Sequence, residues 1–318
     1  MTITKNNHIS LINKLAISDK RTIARMISII ESDDERAKAI LKQIFHKTGR
    51  AYRIGITGPP GAGKSTITNQ LAKLLLSLAK SVAIIAIDPT SPFSGGALLG
   101  DRVRMNDIGT NENVFIRSMA TRGSLGGLSK KTIDTADILD ASGFDYIIFE
   151  TVGVGQSELD IAKVADSTIV TLVPESGDTI QAMKAGLMEI ADIFLLNKCD
   201  RPEADKAFLS LQAALHLRNF NPNDWLQPVI KVTATANKGI NEIAEKIEEH
   251  RLYCRSNSTC LEKKSANYKL RVIDIVETSL KQKIWNEFNI NILETSMDKI
   301  LSGELSPYEL AEKILLNN

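Results

Sequence analysis

The sequence is poor in the residues that staple or metallate small domains. It has three cysteines, Cys199, Cys254 and Cys260, an odd set with no C-x-x-C spacing. Its four histidines, His8, His46, His216 and His250, stand far apart. Neither a disulfide framework nor a sequence-local zinc site follows from such usage. Net charge is nearly absent as well: 39 Lys plus Arg face 38 Asp plus Glu. That balance gives no basic field to draw the chain to nucleic acid. No apolar run approaches the roughly 20 residues that span a bilayer. The opening residues MTITKNNHIS hold no apolar signal core. The expectation is a soluble, cytoplasmic chain with no membrane or nucleic-acid partner.

What is present is ordinary globular material. Hydrophobic residues make up 43% and charged residues 24% of 318 positions, enough for one substantial core with smaller flanking elements. Residues 1–50 read as a helical extension, with Ile23, Met26, Ile27 and Ile30 at helical spacing. Ser32 and Glu35 read as a capping box for a second helix carrying Ile40, Leu41, Ile44 and Phe45, and Gly49 as its stop. From residue 51 to 250 the pattern changes to short apolar runs at 52–57, 82–87, 114–118, 145–150, 168–174, 193–197 and 229–233, separated by helical stretches. That alternation predicts an α/β domain with a mostly parallel central sheet flanked by helices.

Residues 251–318 read as a helical arm. Leu270, Ile273, Val276, Leu280 and Ile284 line one face, with Val272 and Ile275 beside it. So wide an apolar surface needs cover, either from this chain's own core or from a second subunit. Ser306, Pro307 and Glu309 predict the start of a last helix.

The segment Gly58-Pro59-Pro60-Gly61-Ala62-Gly63-Lys64-Ser65-Thr66 follows an apolar run and precedes a leucine-rich helical stretch, and it fits the phosphate-loop pattern G-x-x-x-x-G-K-[ST]. Glycines let successive N–H groups face phosphate oxygens, and the helix N-terminus adds partial positive charge. Lys64 is expected at the β- and γ-phosphates and Ser65 at magnesium. A chance match in a chain this long is on the order of one in a hundred, so the plain glycine-turn reading is the weaker one. Downstream, Asn197-Lys198-Cys199-Asp200 forms N-K-x-D. The Asp200 carboxylate can accept from both the N1–H and the exocyclic amine of guanine, whereas adenine offers an unprotonated ring nitrogen there. GTP and GDP are therefore the expected nucleotides.

A strand ending in Glu150 and running into Thr151-Val152-Gly153-Val154-Gly155-Gln156 is the best place for a γ-phosphate sensor. Glu150 would act through magnesium-bound water and the Gly153 N–H would meet the phosphate. Asp88 and Asp101 could complete the magnesium shell, or serve only as turn and capping residues.

Taken together, these strings resemble the MeaB/ArgK family of P-loop GTPases. The resemblance rests on GPPGAGKST (58–66), IDPTSPFSGGALLGDRVRM (87–105), FIRSMATRGSLGG (115–127), FETVGVGQSELD (149–160), SGDTIQAMKAGLMEIADIFLLNKCD (176–200) and TATANKGI (233–240). Carried over residue by residue, it implies that Asp88 and Asp101 are magnesium-linked acids of a first switch. It implies that Glu150 replaces the usual GTPase Asp, and that Thr233-Ala234 stands where Ser-Ala is common beside the base. It also implies a mobile coupling segment at 174–186, with Asp178 and Lys184. Here Pro174-Glu175-Ser176-Gly177 replaces the commoner Pro-Gly-x-Gly, a change that lowers the expected flexibility. On sequence alone Lys184 is an exposed helical lysine.

The family further implies a magnesium-dependent GTPase chaperone that binds no cobalamin itself: the partner, a cobalamin-dependent acyl-CoA mutase such as methylmalonyl-CoA mutase, holds it. The resemblance favours a homodimer. Other readings are a transport-associated ATPase or kinase of the ArgK type, a nickel-insertase GTPase, disfavoured by the lack of clustered His or Cys in sequence, and an RNA-associated GTPase, disfavoured by the charge balance. Arg122 is the nearest candidate for an arginine finger.

Overall fold

Apolar runs become central strands when both of their faces are covered, and here alternate side chains feed two different cores. The computed structural model describes residues 11–32, 35–88, 106–120, 130–151, 157–174, 186–217 and 224–316. Within them the strands are β1 (Tyr52–Thr57), β2 (Val82–Asp88), β3 (Val114–Ala120), β4 (Tyr146–Thr151), β5 (Ser167–Leu172), β6 (Ile193–Leu196) and β7 (Val229–Lys231). They form one sheet in the order β3-β2-β4-β1-β5-β6-β7. Every pairing in it is parallel. Ile54 lies opposite Ile148 of β4 on one side and Ser167 of β5 on the other, so β1 sits between them. This is the expected P-loop NTPase fold.

The described helices of the first unit, residues 1–256, include, besides the single turn Asn106–Gly109, α1 (Lys20–Glu31), α2 (Glu35–Ile44), α3 (Lys64–Ser77), α4 (Lys130–Ser142), α5 (Ser157–Asp160), α6 (Leu187–Ile190), α7 (Ala204–His216) and α8 (Ile240–Ser256). Ile54, Ile56, Val82, Ile84, Tyr146 and Ile148 point to one face, where they pack with Ile67 and Leu71 of α3 and Ile243 and Ile247 of α8. Their strand neighbours Ala83, Ile85, Ile147 and Phe149 point to the other, beneath Ile23, Met26 and Ile27 of α1, Ile40 and Ile44 of α2, and Ile138 of α4. The period of two along each strand dictates this division. Each fully buried aliphatic side chain contributes about 1.5–3 kcal/mol, which is how α1 and α2 become part of the sheet's own core.

Local signals came out unevenly. The start of α2, and with it the expected capping box of Ser32 and Glu35, lies outside the described residues; the Ser32 hydroxyl donates back to the Ile29 carbonyl at 3.0 Å and closes α1. Helix α2 ends at Ile44 and continues as a 3-10 turn, Phe45–Lys47, before Gly49 turns the chain at φ 89°. Asp140 of α4 then accepts from the N–H groups of Gly49 at 2.7 Å, Arg50 at 3.1 Å and Ala51 at 3.0 Å. The Arg53 guanidinium donates to Asp137 at 2.8 Å and to Asp140 at 3.2 Å. A buried carboxylate needs such partners to offset its desolvation.

The second unit, residues 257–318, contains α9 (Ser258–Ile284), α10 (Glu287–Leu301) and α11 (Pro307–Leu316). Glu309 accepts from the Ser306 N–H at 2.8 Å while the Ser306 hydroxyl accepts from the Glu309 N–H at 3.1 Å, the capping box expected from the sequence. No residue of α9 is buried, and Leu270, Ile273, Val276 and Leu280 are about half exposed. No helix among the described residues is long and apolar enough to cross a membrane.

Candidate nucleotide site

In an open parallel sheet the crevice outside the carboxyl ends of the strands is the natural ligand site, and the chemistry-bearing residues collect there. β1 ends at Thr57, residues 58–63 curl, and α3 starts at Lys64. Gly63, the residue before the helix, has φ 90°. A Cβ on it would stand 2.3 Å from Asn197 Nδ2, so both backbone and space demand glycine. Lys64 is 5% exposed, and its ammonium donates to the carbonyls of Gly58 at 2.7 Å and Pro59 at 2.9 Å. The cation is thereby held at the loop.

Ser65, the next residue, donates its hydroxyl to Glu150 Oε1. Parallel pairing of Ile56 with Glu150 brings the end of β4 level with the start of the loop. Beside it Thr151 donates to Thr57 at 3.1 Å. A hydroxyl and a buried carboxylate side by side are hard oxygen donors of the kind magnesium takes, so these residues fit the ion. Glu158 of α5 is half-buried, and burial pushes its carboxyl up while the charge of Lys64 draws it down.

Asn197 ties the phosphate loop to the base-reading side. Its amide nitrogen donates to the Ala62 carbonyl at 2.8 Å, and its amide oxygen accepts from the Ala234 N–H at 3.1 Å. Asn197 is 3% exposed. Lys198 takes φ 60°, a conformation uncommon outside glycine, and the chain turns there so that Asp200 is exposed. Between them Cys199 donates to the Leu196 carbonyl at 3.0 Å, and burial pushes its thiol up. Thr233 and Lys238 pair across the following turn.

The structure therefore brings together Gly58, Pro59, Pro60, Gly61, Ala62, Gly63, Lys64, Ser65 and Thr66 with Glu150 at one end, and Asn197, Lys198 and Asp200 with Thr233 and Ala234 at the other. Asp101, Arg122, Gly153, Asp178 and Lys184 lie outside the described residues, as does the side chain of Asp88, whose backbone closes β2. The double duty of Asn197 was not foreseen: N-K-x-D marks it as a base reader, and no local pattern points back across 135 positions to Ala62. Glu158 was also missed, its signal being only an acid shortly after the glycine-rich stretch.

Comparison with known proteins gives this geometry a context. Residues 23–289 match the family described as methylmalonyl Co-A mutase-associated GTPase MeaB. A Pyrococcus horikoshii protein named as a GTPase is 46% identical over 307 residues, 96% of each chain. The Mus musculus protein named methylmalonic aciduria type A homolog, mitochondrial, is 29% identical over 319 residues, covering 95% of this chain and 77% of that one. A crystal structure described as LAO/AO transport system kinase superposes with a TM-score of 0.73 at 26% identity, covering 99% of this chain and 98% of the other.

Proposed function

Because the chain belongs to the methylmalonyl-CoA mutase-associated GTPase family, MeaB, we propose that its GTP hydrolysis gates adenosylcobalamin delivery to, and protects, a cobalamin-dependent acyl-CoA mutase. The chain is a P-loop GTPase. The observation that carries the mutase reading is the match of residues 23–289 to a family described by its association with that enzyme. The name of the mouse relative points the same way. In this reading the cobalamin stays with the mutase, and this chain, cytoplasmic and homodimeric through the exposed face of α9, supplies the timing.

The residues divide the work as follows. Lys64 and the N–H groups of residues 58–66 hold the phosphates. Asp200 accepts from guanine, Asn197 fixes the distance between base pocket and phosphate loop, and Thr233 and Ala234 close the pocket beside the base. Ser65 and Glu150, joined by Asp88 and Asp101, would hold magnesium. When bound, that ion neutralises charge on the phosphates. The Gly153 N–H senses the γ-phosphate, and Lys184, in the segment that matches the family's coupling element, carries nucleotide state to the mutase.

The test is capture of the purified mutase on this chain loaded with GDP or with a non-hydrolysable GTP analogue. Nucleotide-dependent capture supports the reading; equal or absent capture in both states contradicts it. The transport system kinase likeness favours a second reading, phosphoryl transfer to a protein. Label from γ-phosphate-labelled GTP would then appear on protein rather than as free phosphate.

A further inference from the structure

β4 and β5 lie on either side of β1, so the chain between them, described from residue 157 to 166, has to cross β1. It crosses where β1 has no side chain. A Cβ on Gly55 would stand 2.8 Å from Ile161 Cγ1 and 3.1 Å from both Ile161 Cδ1 and Ala165 Cβ. Carbon atoms prefer about 3.5–4.0 Å, so any side chain at 55 would lift the crossover. Gly55 is not among the glycines with positive φ, and an L-residue would suit its strand backbone. Space alone demands glycine there.

The rest of the crossover is fixed around that notch. The Asp166 N–H donates to the Arg53 carbonyl at 2.7 Å, and the Arg53 N–H donates to the Asp166 carboxylate at 2.9 Å. Ile161 is fully buried and the Ala165 N–H donates back to its carbonyl at 3.0 Å. Immediately before Ile161 stands α5, whose Glu158 feels the charge of Lys64. Leu159 of α5 lies over Gly186, 3.5 Å from where a Cβ would be, at the start of α6. A lift at Gly55 would therefore move α5 relative to both the phosphate loop and α6.

We propose that Gly55 is a positioning residue for GTP hydrolysis: the notch it leaves in β1 seats Ile161 and Ala165, and that seating sets where α5 stands toward the phosphate loop. The proposal rests on the reading that Glu150 and the residues after it act at the γ-phosphate. A displacement near 1 Å of a positioned group can cost about 100-fold in rate, while nucleotide held by Lys64 and the base reader needs no contact from α5.

The experiment compares wild type, Gly55→Ala, Ile161→Ala and the double variant by GDP affinity and single-turnover GTP hydrolysis at saturating magnesium. Gly55→Ala is expected to keep GDP affinity within about threefold and to slow hydrolysis by about 10- to 100-fold. Ile161→Ala removes two of the three atoms that crowd position 55, the nearest among them, and leaves the Ala165 Cβ at 3.1 Å, so the double variant is expected to hydrolyse within about threefold of Ile161→Ala alone. Wild-type hydrolysis in Gly55→Ala would overturn the proposal. So would a double variant about tenfold or more slower than Ile161→Ala, or a loss of GDP affinity matching the loss of rate. If Gly55→Ala does not fold, the double variant carries the test: folded and tenfold slower than Ile161→Ala, it overturns the notch. A Glu150→Gln arm separates the underlying reading, because wild-type hydrolysis in that variant contradicts a γ-phosphate role for Glu150 whatever Gly55 does.

Discussion

Asn197 donates to the Ala62 carbonyl at 2.8 Å, so the residue that opens the guanine motif also pins the phosphate loop. Its other amide atom accepts from Ala234 at 3.1 Å. One buried side chain thus sets the separation of the two ends of a nucleotide site. Asn197→Ala leaves a carbonyl and an N–H without their partner, at about 1–3 kcal/mol for each buried group left unpaired. The expected outcome is a lower denaturation midpoint together with weaker binding of GTP and GDP alike. Titration with a fluorescent GDP analogue checks it, and unchanged affinity would remove Asn197 from the site.

Lys64→Ala removes charge rather than packing, since Lys64 is held by two loop carbonyls and takes no part in the hydrophobic cores. Tight GTP binding is expected to disappear with the far-UV spectrum unchanged. Calorimetric titration with GTP reads the first and circular dichroism the second. Retained affinity would refute the phosphate-loop assignment.

Asp200→Asn reverses hydrogen-bond polarity at constant shape. Xanthine presents a carbonyl where guanine has its amine, and an amide can donate to it. The exposed position of Asp200 makes this a change in recognition with little effect on folding. Competition between GTP and XTP is expected to shift toward XTP. A variant that still prefers GTP as strongly as wild type shows that Asp200 does not read the base.

Arg53→Met tests the fold rather than the site. Arg53 pairs with Asp137 and Asp140, carboxylates of which the second is fully buried. Although burial opposes its charge, those acids hold the guanidinium above the ordinary arginine range. Removing one partner of a buried ion pair costs about 3–5 kcal/mol. Urea unfolding should show a loss of that order; a loss under about 1 kcal/mol would place the cluster among the weak surface pairs.

The fold was legible because it is written locally. Tyr52–Thr57 and the strands that follow are short apolar runs whose period of two assigns Ile54 and Phe149 to opposite faces, and the phosphate loop is contiguous in sequence. The capping box at Ser306 and Glu309 also needs only four residues. Legibility failed where function depends on distant partners. Asp140 holds the backbone of residues 49–51 across about 90 positions, and Gly55 matters only because the crossover to β5 lies on it.

The central claim is that GTP hydrolysis by this chain answers to a cobalamin-dependent mutase. The most direct measurement is single-turnover GTP hydrolysis with increasing amounts of the cognate mutase, for wild type and for Lys184→Ala. The account predicts slow hydrolysis alone, acceleration by the mutase in wild type, and loss of that acceleration in Lys184→Ala with GTP affinity unchanged. Equal acceleration in both proteins would contradict the role of Lys184; no acceleration of wild type at any mutase concentration would contradict the claim itself.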